Sequence, residues 1–315
     1  MPSYPRVPLP SYEPGADLAR QLHRWASSVP LGDLVAAFGG TRPELPVGEL
    51  LAWLDDFSAG HWDFRSARRV ERDHVDPPSF PPEVAGLVAE VAAALGLVDA
   101  APPRPAYDHL LVLGGLARAC LQRSEYAARL LRSGRVGADQ VTALGSFRPL
   151  DDAEAGLLPA RYEVDAFEAA VRIAFGVTGA ADVVRSPGEI TPASWTVRVL
   201  KTEDGQALQV LAAPSSEPAR RRANTPDTYR FWAREAGLEP GAHVLVVTSP
   251  IYVPFQHCDA IRMLALPYGC AVDTVGFDPA RATVRQPPGA AGTDRYLQEI
   301  RSAVRSMRRL HQELA

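Results

Sequence analysis

Hydrophobic residues in the first hundred positions recur at the spacing of a helix. Leu18, Leu22 and Trp25 lie three or four residues apart, and the same spacing returns in three later groups. These groups cover residues 31–38, 50–54 and 84–95. Fifteen of the 29 prolines fall within residues 1–105 and separate the groups. We therefore predict a helical N-terminal domain over residues 1–105, which would serve as a lid or an interface.

From residue 107 onward, short apolar runs rich in β-branched residues alternate with helical stretches. The predicted strands are 109–113, 140–144, 207–212, 243–248 and 270–275, and the predicted helices are 117–133, 163–176, 226–237, 255–266 and 294–314. A further run at 195–200 lies close enough to the strand at 207–212 to form a hairpin, which adds one antiparallel strand. The alternation predicts an α/β domain over residues 106–315, with a Rossmann-like, mainly parallel sheet and helices on both faces.

The charge balance argues against nucleic-acid binding. The chain has 33 basic and 37 acidic residues, a net charge of −4 and an isoelectric point near 6.0. Nucleic-acid-binding domains normally carry a clustered basic excess. Lys201 is the only lysine, so 32 of the basic residues are arginines. This bias is typical of a GC-rich genome, and it weakens the functional meaning of any single arginine.

The lack of a membrane-spanning run and the arrangement of the cysteines indicate the cellular location and the kinds of partner. No apolar run reaches the length of about 18 residues that a membrane span requires, and the N-terminus lacks the charged and apolar regions of a secretion signal. Cys120, Cys258 and Cys270 form neither a disulfide framework nor a metal-binding spacing, and Cys120 lies in an apolar stripe. We expect a cytoplasmic protein that binds no membrane, metal ion or nucleic acid. The sequence does not decide whether it forms a homo-oligomer.

The loops after the first two strands of this domain carry candidate ligand-binding residues. Gly114 and Gly115 follow the first strand and let the backbone approach a ligand, and Arg118 lies in the first turn of the next helix. Ser146 and Arg148 follow the second strand. In a doubly wound sheet, ligands bind beyond the carboxyl ends of the strands. A tight turn with a surface arginine is the alternative for the first loop, because no dinucleotide fingerprint is present.

Five acidic residues follow the second strand. Asp151, Asp152 and Glu154 are predicted to open the next helix, whose dipole favours negative charge at its start. Glu163 and Asp165 stand at a second helix start. They are either residues of a first helical turn or groups that face a ligand, and the pattern does not separate the two.

An arginine run precedes the helix that starts near Pro226. The three arginines Arg220, Arg221 and Arg222 precede Asn224 and Thr225, with Thr225 predicted as the N-cap and Asp227 in the first turn. Guanidinium groups bind carboxylates and phosphates through two parallel hydrogen bonds. We predict that at least one of these arginines binds an anion. The alternative is a solvated loop.

The loop after the strand at 243–248 supplies further candidates. Thr248 and Ser249 present hydroxyl groups at the strand end, and Tyr252 lies before the next helix. The candidate catalytic residues are Glu217, Ser249 and Tyr252. His257 is either a base or a packed residue. Acyl-hydrolase and metalloprotease motifs do not occur.

Taken in order, these loops resemble the YdcF/SanA/ElyC-like family. The matching pieces are residues 112–115, 127–134, 144–146, Glu217 with 224–228, and 247–249. Tyr252 stands near the place where that family has a histidine, and Asp227 and Thr228 replace its Glu and Asn. The resemblance implies a Rossmann-like fold and, for soluble members, S-adenosylmethionine as a ligand.

These observations lead to one functional prediction with a rival. We predict a cytoplasmic protein that binds a small anionic molecule, nucleotide-like or adenosyl, at the carboxyl ends of the strands, and whose enzymatic form would be a transferase or hydrolase. The rival is a non-catalytic ligand sensor or partner-binding protein that uses the helical N-terminal domain. Turnover of the ligand distinguishes the two.

Overall fold

The computed structural model describes residues 4–64, 79–158, 160–203, 205–285 and 292–314. Within the described N-terminal residues, four helices have defined bounds. They are α1 (Leu18–Ala26), α2 (Val29–Ala37), α3 (Val47–His61) and α4 (Pro82–Ala94). Asp17 caps α1 by accepting a hydrogen bond from the N–H of Arg20 at 2.8 Å. Proline is the second residue of α2 (Pro30) and the first of α4 (Pro82). Its missing N–H costs nothing there, because the first N–H groups of a helix have no partner within the helix. The helical character predicted for this region is confirmed.

Seven strands form one sheet. They are β1 (Ala106–Leu113), β2 (Gly137–Gly145), β3 (Asp182–Arg185), β4 (Thr196–Lys201), β5 (Ala207–Ala212), β6 (His243–Thr248) and β7 (Ala271–Gly276). The spatial order is β3-β4-β5-β2-β1-β6-β7. The five strands from β5 to β7 run parallel, whereas β4 pairs antiparallel with both β3 and β5. The predicted mainly parallel sheet and its hairpin are therefore confirmed, although Asp204 in the hairpin turn lies outside the described residues.

The edge strand β3 is absent from the predicted elements. It has four residues, all exposed, so it lacks the apolar run that reveals the buried strands. Its position depends on pairing with β4, where Val184 lies opposite Val197.

In the described part of the chain after the first strand, seven further helices are present. They are α5 (Ala117–Arg132), α6 (Asp152–Ala155), α7 (Glu163–Phe175), α8 (Thr225–Glu235), α9 (Val253–Ala260), α10 (Leu266–Tyr268) and α11 (Thr293–Gln312). Short 3-10 turns occupy Pro250–Tyr252 and Pro279–Arg281. The continuous helix predicted at 255–266 is wrong in one respect, because the wider π-helical turn Ile261–Ala265 follows α9.

Both faces of the sheet carry helices. Leu110 and Val112 of β1 share a buried cluster with Phe167 of α7, and α5 contacts β1 and α7 on the same side. Neighbouring residues of a strand point to opposite faces, and His109 packs edge-on against Trp232 of α8 at 5.1 Å between ring centres. The predicted arrangement of helices on both faces is confirmed.

The chain divides into two compact units. One contains Met1–Ala100, Pro250–Arg262 and Gln286–Ala315, and the other contains Ala101–Ser249 and Met263–Arg285. The whole sheet lies in the second unit, whereas α9 and α11 lie in the first. Compactness does not test which segments fold independently, so the predicted division near residue 105 stays a prediction. Among the described residues, no helix is both long enough and apolar enough to cross a bilayer.

The direction of the chain across the sheet reverses at β1. The chain proceeds from β1 to β2 and β5 on one side, and later to β6 and β7 on the other. In doubly wound sheets, ligands bind beyond the carboxyl ends of the two strands between which such a reversal lies. Here those strands are β1 and β6.

Phe167 should be a major source of stability for the sheet unit. Because its side chain is fully buried, Phe167→Ala is expected to lower the free energy of unfolding by about 3–5 kcal/mol. Ile173 lies on the same helix with 68% of its surface exposed, and Ile173→Ala should change stability by no more than about 0.5 kcal/mol. Urea unfolding of both variants followed by circular dichroism measures the difference. Equal losses would contradict this account of the core.

Candidate functional site

The glycine pair after β1 packs against a carboxylate of the protein itself. The N–H of Gly114 donates to the carbonyl of Leu144 at 2.8 Å, and a Cβ at this position would lie 2.6 Å from that carbonyl oxygen. The same Cβ would overlap Oε1 of Glu163. Gly114 therefore permits close approach of Glu163, and its predicted ligand-binding role stays a prediction.

Glu163 is buried at the start of α7, at the carboxyl end of β2. Its Oε2 accepts a hydrogen bond from the Ser146 hydroxyl at 2.5 Å and lies 3.9 Å from Nε of Arg148. Burial raises the pKa of Glu163 above its ordinary value. The Ser146 hydrogen bond, the charges of Arg148 and Arg222 and the N–H of Gly115 offset part of that rise. A carboxyl group in this environment is a candidate for function.

The structure separates the two acids at the start of α7. Glu163 faces the strand ends, whereas Asp165 accepts from the N–H of Tyr162 at 3.1 Å and binds Arg198 at 2.7 Å. Asp165 is therefore a helix-start residue with an ion pair, and Glu163 belongs to the candidate site.

Arg148 and Glu154 form a paired fork beside the glycine loop. Nη1 and Nη2 of Arg148 each lie 2.6 Å from a Glu154 carboxylate oxygen, and Nη2 also donates to the carbonyl of Gly115 at 3.0 Å. Oε1 of Glu154 accepts from the N–H of Ala117, the first residue of α5, at 2.8 Å. Glu154 thus occupies the start of α5, directly after the predicted ligand-binding loop.

Glu154 also supports its own helix, as predicted for the acids of this segment. It forms a reciprocal capping box with Asp151 at the start of α6. Burial raises the pKa of Glu154, but hydrogen bonds from Arg148 and from the N–H groups of Ala117 and Asp151 outweigh burial and hold it below its ordinary value.

Arg123 joins the two central strands, and it is absent from the predicted site. Its side chain is fully buried on α5, and Nε and Nη2 donate to Oγ of Ser249 at 3.1 and 3.0 Å. Nη1 donates to the carbonyls of Leu113, at 2.8 Å, and Gly114. The available signal was its position three residues after Cys120 in the apolar stripe, where an arginine needs polar partners.

Two arginines of the run before α8 differ in their contacts: Arg221 binds other side chains, whereas Arg222 is exposed. Arg221 forms an ion pair with Asp227 and donates to Oγ of Ser216 at 2.8 Å and to Glu217 at 3.2 Å. Arg222 is exposed. Its guanidinium makes no hydrogen bond or ion pair with any residue that the structure describes, and its charge acts on Glu163.

The start of α8 is capped by its own residues. Oδ1 of Asn224 accepts from the N–H of Asp227 at 3.1 Å, and Oδ2 of Asp227 accepts from the N–H of Asn224 at 3.0 Å. The N-cap is therefore Asn224, and the predicted N-cap Thr225 is wrong by one residue. The Asn224 amide can accept the bond directly, and Thr225 becomes the first helical residue. Burial raises the pKa of Asp227, but hydrogen bonds from Arg221, Ser216 and Asn224 hold it below its ordinary value.

The remaining predicted residues lie in separate surroundings. Arg118 donates to the carbonyl of Arg285 at 2.6 Å, and Thr248 is fully buried at the end of β6. Glu217 is half-exposed and lies 3.6 Å from Arg220. Tyr252 belongs to the other compact unit, where its hydroxyl accepts from Arg295 at 2.8 Å.

The thiols and His257 have structural surroundings. Burial raises the pKa of Cys120 and of Cys270 to about 12, and it also raises that of Cys258. The His257 Nε2–H donates to the carbonyl of Pro10 at 2.6 Å within the first unit. Across the described ranges, no three His, Cys, Asp or Glu side chains are grouped so that they could hold a metal ion.

The mainly parallel sheet with helices on both faces defines a Rossmann-like α/β protein with a helical N-terminal region. Side chains of the protein itself lie at the carboxyl ends of its strands. A family described as the Rv3785 N-terminal domain matches residues 10–96. Three relatives are each 33% identical over 314 residues, covering 91% of this chain and 87% of their own length. They are the uncharacterized proteins Rv3785 (strain H37Rv) and MT3893 (strain CDC 1551) of Mycobacterium tuberculosis and Mb3814 of Mycobacterium bovis. The chain belongs to this Rv3785 family.

This membership corrects the resemblance drawn from the loops. The YdcF/SanA/ElyC-like assignment is wrong, because the family match and the relatives are those of Rv3785. The pieces that suggested it are paired glycines, hydroxyl residues and arginines, which many parallel strand ends use. S-adenosylmethionine, which rested on that resemblance, loses its basis. No solved structure matches the chain significantly.

The close packing at Gly114 gives a stability prediction. Gly114→Ala places a methyl group against Glu163 and the Leu144 carbonyl, so it should cost about 1–3 kcal/mol of unfolding free energy. Gly115→Ala is the matched control, because its added carbon would lie 3.3 Å from Ala119 Cβ and 3.5 Å from Arg123. Chemical denaturation should show a clearly smaller loss for the control. The reverse order would mean that Glu163 does not pack on Gly114.

Proposed function

We propose that the sheet unit binds a small molecule that carries an anionic group, and that the guanidinium of Arg222 binds this anionic group. Four arginines were predicted to supply charge. Arg118, Arg148 and Arg221 are engaged by a carbonyl or by carboxylates of the chain. Within the described residues, the guanidinium of Arg222 stays open. This difference between Arg222 and its three counterparts carries the proposal.

The location supports a small ligand. The charge of Arg222 acts on Glu163, which packs on the glycine loop after β1 and binds Ser146 after β2. Ligands of doubly wound sheets bind at the carboxyl ends of the strands, and many of them are nucleotides. A guanidinium fork matches the oxygen atoms of a phosphate or carboxylate. A nucleotide-like molecule with a phosphate group is therefore the first ligand class to test.

Binding is better supported than covalent catalysis at the predicted residues. A serine nucleophile needs an adjacent base, whereas Oγ of Ser249 accepts from the guanidinium of Arg123. Glu217 is half-exposed and ion-paired with Arg220 and Arg221. A transferase or hydrolase would reveal itself by product formation, and a sensor would return its ligand unchanged. The cytoplasmic location, the role of Tyr252 and the partner role of the helical region stay predictions.

Arg222→Ala tests the proposal. Calorimetric titration with ADP, as a nucleotide-like anion, should show affinity reduced by roughly 10- to 150-fold, because a hydrogen bond to a charged group contributes about 1.5–3 kcal/mol. Unfolding stability should change little, since the side chain is exposed and makes no hydrogen bond or ion pair with a described residue.

Arg220→Ala is the matched control. It removes the same charge two positions away, from a side chain that is 83% exposed, and it should leave ADP affinity almost unchanged. If the native protein and Arg222→Ala bound ADP with equal affinity, the arginine run would be a solvated loop and the proposal would be contradicted. Native mass spectrometry of the purified protein would identify any retained ligand.

A further inference from the structure

Arg123 joins the ends of β1 and β6, the two strands between which the chain reverses its direction across the sheet. Val112 lies opposite Val247 in their parallel register, so Gly114 and Ser249 each follow two residues later. Nε and Nη2 of Arg123 donate to Oγ of Ser249 at 3.1 and 3.0 Å, and Nη1 donates to the carbonyl of Gly114. Ligands of doubly wound sheets bind beyond the carboxyl ends of two such strands.

The hydroxyl of Ser249 has both of its acceptor positions occupied. A serine hydroxyl offers two lone pairs and one O–H donor, and here both lone pairs accept from the same guanidinium. The O–H is therefore directed away from Arg123. Ser249 is only 6% exposed, and no atom of a described residue accepts a hydrogen bond from its hydroxyl. A buried donor without an acceptor costs free energy, so this O–H needs an acceptor from outside the described chain.

The guanidinium also determines which kind of acceptor suits Ser249. Connected hydrogen bonds polarise one another, so two bonds from a cation make the O–H of Ser249 a stronger donor. A strong donor gains most from an anionic oxygen, because hydrogen bonds to charged acceptors are the shorter and stronger ones. The same two bonds withdraw electron density from Oγ, and they therefore make Ser249 a poor nucleophile.

We propose that Ser249 donates its hydroxyl hydrogen to a phosphate or carboxylate oxygen of the ligand, and that Arg123 is the positioning residue that fixes the direction of this donor. The inference rests on the proposed function in one respect, namely that the sheet unit binds a small anionic molecule. It does not depend on Arg222, because the contacts that carry it are those of Arg123 and Ser249.

Ser249→Ala tests the donor. Calorimetric titration with ADP should show affinity reduced about 10-fold, because the variant loses one hydrogen bond to a charged oxygen. Ser249→Thr keeps a hydroxyl group on the same backbone position and should retain most of the native affinity. Unchanged affinity in folded Ser249→Ala would overturn the inference.

Ser194→Ala is the matched control. Ser194 is also buried in the sheet unit, but its hydroxyl accepts from the N–H of Thr191 at 2.9 Å and donates to the carbonyl of Glu189 at 3.3 Å. Its donor is therefore already used within the protein. Ser194→Ala should leave ADP affinity almost unchanged, and an equal loss in both alanine variants would overturn the inference.

A double-mutant cycle tests the positioning role of Arg123. Lysine has no guanidinium fork, so Arg123→Lys should weaken ADP binding when Ser249 is present and add little to the loss in Ser249→Ala. If Arg123 only supported the fold, Arg123→Lys would reduce the affinity by the same factor in both backgrounds. That result would contradict the positioning role.

A crystal structure with ADP supplies a test that needs no variant. We expect a phosphate oxygen at about 2.5–3.0 Å from Oγ of Ser249, and a water molecule alone at that position in the ADP-bound protein would overturn the inference. If Ser249→Ala weakened ADP binding and Arg222→Ala did not, the inference would stand and the role proposed for Arg222 would be contradicted. The reverse pattern would overturn the inference alone, and a native protein that binds no ADP would contradict both.

Discussion

The buried carboxylate of Glu163 is the constraint on which the arrangement of the strand ends depends. Its contact with Gly114 leaves no room for a side chain there, and its hydrogen bond with Ser146 joins the end of β2 to the start of α7. A buried carboxylate requires donors and positive charge, and Arg148 and Arg222 supply that charge. The positions of the glycine loop, the serine and the arginines therefore form one electrostatic arrangement.

The protein satisfies most of its anion-attracting groups internally. At the start of α5, the N–H of Ala117 donates to the carboxylate of Glu154. At the start of α8, the carboxylate of Asp227 accepts from the N–H of Asn224 and pairs with Arg221. Helix starts and arginines indicate anion binding only when no carboxylate of the chain reaches them. This principle separates Arg222 from its neighbours and explains why a loop rich in arginine offers a much smaller cationic site than its composition suggests.

The candidate site was predictable in part. Gly114, Ser146 and Arg148 were expected at strand ends and do lie together, because parallel strands place their carboxyl ends along one edge of a sheet. Arg123 was missed because it lies in the apolar stripe of a helix, where a single charged residue only interrupts the hydrophobic pattern and does not indicate a site. Glu163 and Asp165 could not be separated, because both have the spacing of a first helical turn. The family, too, was not readable from short loop motifs, which recur across unrelated parallel sheets.

The sequence by itself determined the helical first third, the five parallel strands, the hairpin and the edge of the sheet at which polar residues collect. These features follow from hydrophobic periodicity and turn residues, which act over a few positions. Only the tertiary structure decided which charges neutralise one another. Arg123 meets Ser249 across 126 positions, and Glu154 meets the start of α5 across 37. Such pairs depend on where the folded backbone places distant residues, and no local pattern contains that information.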